Sequence, residues 1–141
     1  MDRTIRVELA DRPYDVRIAP GMLQQLGPAA AGMGKVTSAV VVSDSNVAPL
    51  YGPAALESLQ AAGLPAHLVQ FPAGEASKTL ATYAGLFDRL FALRPAVDRN
   101  CLLVALGGGV AGDLTGFVAA TLLRGIRWFQ CPTTLLADVD A

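Results

Sequence analysis

Apolar and polar positions alternate first with the period of strands, then settle into buried runs separated by helical stretches. Ile5, Val7 and Leu9 alternate with polar neighbours, as do Tyr14, Val16 and Ile18, and Asp11-Arg12-Pro13 between them is turn chemistry. A β-hairpin is therefore predicted to open the chain. A short helix is predicted over 21–31. Ser38 to Ser43 reads SAVVVS, a continuous run of the kind found in strands covered on both faces. A helix is predicted over 49–62, ended by Gly63 with Pro65 two residues on, the usual C-terminal punctuation.

Ala66 to Phe71 reads as a further strand. Leu80, Tyr83, Ala84, Phe87, Leu90 and Phe91 then recur at three and four residues, which marks one buried face of a helix over 77–93. Strands are predicted at 101–106 and 128–131, with a helix over 110–123 between them. Thr133-Thr134-Leu135-Leu136 resembles the start of another helix close to the last residue. Strands alternating with crossover helices require parallel pairing, so a doubly wound α/β domain is expected across residues 1–141. A chain that stops inside a rising element is read as truncated at its C-terminal end.

Composition narrows the partners. Apolar residues make up 52% and charged residues 16%, enough to supply a core. Eleven basic against twelve acidic residues leave no basic field for nucleic acid and no cluster for an anionic membrane. The segment 102–126 is apolar and carries GxxxG spacings through Gly108, Gly112 and Gly116, as membrane helices do. Asp113 would then sit near the bilayer centre, and four glycines between Gly107 and Gly112 suit a loop. No membrane partner is expected. Cys101 and Cys131 lack metal-ligand spacing and read as small core residues of a reduced compartment. His67 is the single histidine, so no His-rich metal site is expected.

Ligands of open parallel sheets bind at the carboxyl ends of the strands, which selects four loops. These are Asp44-Ser45-Asn46, the stretch Pro72 to Lys78, the stretch Gly107 to Asp113, and Pro132-Thr133-Thr134. Gly107, Gly109 and Gly112 match G-x-G-x-x-G between a predicted strand and helix. Such a turn lets the backbone approach a pyrophosphate, whose charge meets the free N–H groups and dipole of the helix. The usual dinucleotide fold carries this fingerprint after its first strand, with an acid about 20 residues later. Here Asp44 precedes the glycines, and it suits either a ribose diol or an Asx turn with Asn46. Lys78 could pair with a phosphate or with Glu75. Asp113 falls in the predicted first helical turn, where the dipole or a ligand would account for it. Arg124 beside Gly125 suits a helix end, and Thr133 and Thr134 suit either a helix cap or a ligand.

Taken together, GEASKTL, LVALGGGVAGDLTGFVAATLLRGI and CPTTLLADVDA resemble the 3-dehydroquinate synthase family in order and spacing, and the resemblance covers almost the whole chain. It implies a Rossmann-like NAD-binding domain, followed in family members by a helical, metal-binding domain that is absent here. The implied enzyme is a phosphate-eliminating lyase of the shikimate pathway, converting 3-deoxy-D-arabino-heptulosonate 7-phosphate to 3-dehydroquinate. NAD is its recycled cofactor, and zinc or cobalt polarises the reacting alcohol. The resemblance implies cofactor contacts at Asp44 and Asn46, then at Ala73, Gly74, Glu75, Ala76, Ser77 and Lys78. It continues them through Gly108, Gly109, Val110, Ala111, Gly112 and Asp113 to Thr133, Thr134 and Leu136. Arg124 and Asp140 match positions that meet the sugar phosphate substrate.

No catalytic residue and no metal ligand is expected within this stretch, since family members carry their metal-binding Glu and two His residues further on. The resemblance also implies a cytoplasmic homodimer. Asp138 stands where many members have glutamine, and Cys131 where valine is frequent. The chain alone is expected to be inactive. A related sugar-phosphate cyclase, a polyol dehydrogenase, or a non-catalytic nucleotide-binding module are the alternatives.

Overall fold

The computed structural model describes residues 2–139. Strands β1 (Arg3–Val7) and β2 (Tyr14–Ile18) form the expected hairpin, a separate two-stranded sheet in antiparallel register with Ile5 opposite Val16. Its alternation gathers the apolar side chains on one face that stays open to solvent: Ile18 remains 54% exposed. The helix predicted over 21–31 divides into a 3-10 turn, Met22–Gln25, and α1 (Leu26–Ala31).

The main sheet consists of β3 (Ser38–Asp44), β4 (Ala66–Phe71), β5 (Cys101–Gly107) and β6 (Trp128–Pro132), all parallel, in the spatial order β4-β3-β5-β6. Helices α2 (Ala48–Ala61), α3 (Leu80–Phe91) and α4 (Gly109–Thr121) are the crossovers, and α5 (Leu135–Val139) follows β6. From β3 the chain first steps outward to β4, then crosses back to β5 and on to β6. Right-handed crossovers that travel in opposite directions must lie on opposite faces of the sheet. The core shows that division. Ala39 and Val41 of β3, with Leu102 and Val104 of β5, pack under Leu26, Ala55 and Leu59 of α1 and α2. Val40 and Val42, with Leu103, pack under Leu86, Leu90, Leu114 and Val118 of α3 and α4. The doubly wound α/β reading holds.

One packing expectation is corrected. The periodicity assigned Leu80, Ala84 and Phe91 to the buried face of α3, yet Leu80 is 77% and Phe91 50% exposed, and Ala84 is exposed. The helix is wedged between the sheet and α4, so Leu86 and Leu90 face the core while Tyr83 turns towards α4, its ring 4.6 Å from that of Phe117. A stripe shared by two neighbours is broader than one face, and its outer members stay in water. Helix α3 also starts later than predicted, after a 3-10 turn at Glu75–Ser77, with Thr79 accepting from Thr82 N at its N-terminus.

Among the described residues no helix is long and apolar enough to cross a membrane. Cys101 is buried, Cys131 half-buried, and both are free thiols. Burial pushes the Cys131 thiol up to about 11.

Candidate functional site at the carboxyl edge of the sheet

In the order β4-β3-β5-β6 the topology switches between β3 and β5: the chain leaves β3 towards one face and β5 towards the other. Their carboxyl ends therefore splay open, and this crevice is where open α/β sheets bind ligands. The sheet delivers two of the predicted loops there, Asp44–Asn46 from β3 and Gly107–Asp113 from β5.

Each glycine of the second loop meets a different demand. Gly107 has φ +153°, and a Cβ on it would lie 2.9 Å from Ala111 Cβ and 3.6 Å from Asp44 Oδ2. Gly108 precedes the helix with no side chain capping it, so among the described residues nothing accepts from the first N–H groups of α4. A Cβ on Gly109 would meet nothing within 4 Å, which leaves open space over those amides. Gly112 points the other way: a Cβ there would lie 3.1 Å from Gln130 Nε2 on β6. The fingerprint thus separates into a turn, an open helix terminus and a helix–sheet contact. Ala111 and Gly112 are buried and Val110 half-buried, so Ala111 presents only backbone to this space.

Asp44 makes the Asx turn that its sequence allowed. Its Oδ1 accepts from Asn46 N at 2.8 Å and Val47 N at 2.9 Å, an Asx turn leading into α2. Its Oδ2 lies beside Gly107. The stretch from Ala73 to Lys78 is fastened to its neighbours. Ala73 N donates to Ser45 Oγ at 2.9 Å, Ser45 N donates to Phe71 O at 2.9 Å, and buried Ser77 donates to Pro72 O. Gly74 takes φ +108°, and Glu75 and Ala76 are exposed.

Lys78 Nζ lies 2.6 Å from Asp113 Oδ2 and 3.3 Å from Glu75 Oε1. Donating hydrogen bonds to Asp113 and, less strongly, to Glu75 raises the pKa of the ammonium. Asp113 was expected in the first turn of α4 but lies beyond it, because the helix begins at Gly109. Its charge is met by Lys78 across the loops rather than by the helix dipole, which fades beyond the first turn.

On the far side, Thr133 N donates to Gly107 O at 2.9 Å. Thr134 Oγ1 accepts from Ala137 N at 3.2 Å and so caps α5, with its methyl group 3.5 Å from where a Gly108 Cβ would stand. Leu135 and Leu136 are 80% and 71% exposed at this rim.

Arg124 does not join these groups. It sits past the far end of α4, where Leu123, Arg124 and Gly125 take φ of 50°, 70° and 105° to turn the chain into β6. At 1.5 Å per residue, α4 sets it about 20 Å from the glycine turn. Asp140 lies outside the described residues. Among the described residues no three His, Cys, Asp or Glu side chains gather to hold a metal ion. The cross-loop ties made by Ser43, Ser45 and the Lys78–Asp113 pair went unread in the sequence. The two serines bounding an otherwise apolar strand would have been the signal for the first of them.

Comparison with known proteins agrees with this geometry. A family model described as 3-dehydroquinate synthase N-terminal matches residues 68–141. A 3-dehydroquinate synthase of Desulforamulus reducens is 46% identical over 98% of this chain, and one of Rhizobium etli 43% identical over 99%. The chain spans 38% and 36% of their lengths. Among solved structures, 2-deoxy-scyllo-inosose synthase complexed with carbaglucose-6-phosphate, NAD+ and Co2+ superimposes with a TM-score of 0.84 at 30% identity, covering 96% of this chain and 36% of the other. The 2-epi-5-epi-valiolone synthase of Streptomyces hygroscopicus, with NAD+ and Zn2+ bound, gives 0.71 at 28% identity, covering 92% of this chain and 35% of the other.

Proposed function

The chain belongs to the 3-dehydroquinate synthase family, and on that premise we propose that residues 1–141 form the NAD-binding part of such an enzyme. The whole enzyme converts 3-deoxy-D-arabino-heptulosonate 7-phosphate to 3-dehydroquinate and phosphate in the shikimate pathway, as a cytoplasmic homodimer. The observation that carries the reading is the pairing of Asp44 with the glycine turn across the switch point, beneath an uncapped helix terminus. NAD fits what is present. The amides of Gly109, Val110 and Ala111 receive the pyrophosphate, with Gly109 leaving room for it. Asp44 Oδ2 accepts from a ribose hydroxyl while Oδ1 holds the Asx turn. Lys78, held by Asp113 and Glu75, stands at the edge of the cradle, and Thr133, Thr134 and Leu136 flank the nicotinamide side.

Bound there, NAD supplies a reversible hydride acceptor for an alcohol carbon of the substrate. The metal ion of the related enzymes does not fit the described residues, which bring no cluster of ligands together. A second reading, a related cyclase acting on another sugar phosphate, draws on the close fold match to the inosose synthase. The higher identity to 3-dehydroquinate synthases favours the first.

Calorimetric titration with NAD, run beside a phosphate-release assay on the heptulosonate phosphate, tests the assignment. Binding heat without phosphate release is expected. A silent titration at millimolar NAD would overturn the nucleotide reading, and turnover by this chain alone would overturn its being only the cofactor-binding part.

A further inference from the structure

Ser43 occupies the switch point without belonging to the cradle. It ends a run in which Ala39, Val40, Val41 and Val42 are all buried and apolar, and it is itself 0% exposed. Its hydroxyl donates to Leu106 O at 2.7 Å, across from β3 to β5. Leu106 immediately precedes the glycine turn, and the next carbonyl, Gly107 O, is taken from the opposite side by Thr133 N at 2.9 Å. The last two carbonyls of β5 are thus held from both neighbours. Between them and α4 there is no slack, since Gly107 already stands at φ +153° with its Cα face closed by Ala111. Side chains that hold a backbone carbonyl in a dry interior fix the orientation of that peptide, because no water replaces the bond when it is lost.

We propose that Ser43 is a positioning residue: its hydroxyl sets the Leu106–Gly107 peptide and thereby aims the N-terminal amides of α4 at the nucleotide. The positioning itself is independent of the ligand, and its effect on affinity rests on the NAD reading above. The same strand supplies a control. Ser38 is also buried, at 4% exposure, and lies at the opposite end of β3, paired in register with Cys101.

Amide hydrogen exchange on the ligand-free chain and calorimetry with NAD, on Ser43→Ala and Ser38→Ala, separate the possibilities. Ser43→Ala is expected to speed exchange at Gly112 and Thr133, the amides that donate to Gly108 O and Gly107 O, by about tenfold and to weaken NAD binding by a similar factor, the effect of one net hydrogen bond. Ser38→Ala is expected to alter neither beyond its general loss of stability. Should Ser43→Ala not fold, Ser43→Cys keeps the volume with a weaker donor and is expected to show a smaller shift in the same two readouts. Exchange at the turn and NAD affinity both within about twofold of the parent, or equal changes in the Ser38 variant, would overturn the role. Faster exchange at the turn in Ser43→Ala, beside a parent that gives no heat with NAD, would support the positioning role and sink the nucleotide reading instead.

Discussion

Gly107 and Gly109 stand two positions apart in the same fingerprint, and their surroundings ask opposite things of a methyl group. On Gly107 it would meet Ala111 Cβ at 2.9 Å with the backbone at a φ that other residues avoid. Gly107→Ala is therefore expected to destabilise the fold by roughly 1–3 kcal/mol, from strain and overpacking. On Gly109 the methyl meets nothing, so Gly109→Ala should melt within a few degrees of the parent, yet lose NAD affinity by filling the space proposed for the pyrophosphate. Thermal melts beside calorimetric titrations read the two effects separately; equal losses of affinity and stability in both variants would contradict this division. The spacing of the glycines was legible in the sequence, but their division of labour was not. It depends on Ala111 and Gln130, which reach the loop only through the fold. Asp44 makes the same point: either role was readable, and only the fold showed that the Asx turn occupies one carboxylate oxygen and leaves the other beside Gly107.

Helices were legible as elements and less so as faces. The period of α3 reported that apolar residues repeat, but not that the stripe would be shared between sheet and α4, which leaves Leu80 and Phe91 in water. The α1–α2 contact left no pattern at all. It depends on Gly27, whose Cβ would stand 2.0 Å from the backbone oxygen of Ser58, and whose N–H donates to Ser58 Oγ at 2.9 Å. Any side chain there forces two helix backbones apart, so Gly27→Ala is expected to cost about 3 kcal/mol, the upper end of overpacking. Gly85, in the middle of α3, has nothing within 4 Å of its absent Cβ. Gly85→Ala should accordingly stabilise the chain by about 0.5–1 kcal/mol through helix propensity. Urea unfolding of both variants checks the pair, and a change of the same sign in each would refute the packing argument.

Across the whole molecule, parallel strands and crossover helices followed from the alternation of runs, whereas strand order did not. Nothing in SAVVVS says that β4 will lie on one side and β5 on the other, yet that order creates the crevice where Asp44 meets the glycines. The same separation of local pattern from long-range placement governs the hairpin. Its alternation was plain, but among the described residues its apolar face is not packed into either core cluster, with Ile5, Tyr14 and Ile18 at 39%, 42% and 54% exposure. A lone two-stranded ribbon is marginal in water, while β3 and β5 are buried along nearly their whole length. Stability should therefore be uneven, with the hairpin opening far more often than the sheet. Hydrogen exchange is expected to be at least about 100-fold faster in residues 3–18 than in β3 and β5, a difference of roughly 3 kcal/mol in opening free energy. Removing residues 1–18 should leave the melting temperature of the remaining sheet within a few degrees of the parent. Hairpin amides protected as strongly as those of β5 would mean that the ribbon is packed in solution against a surface, and would overturn its standing as a separate unit.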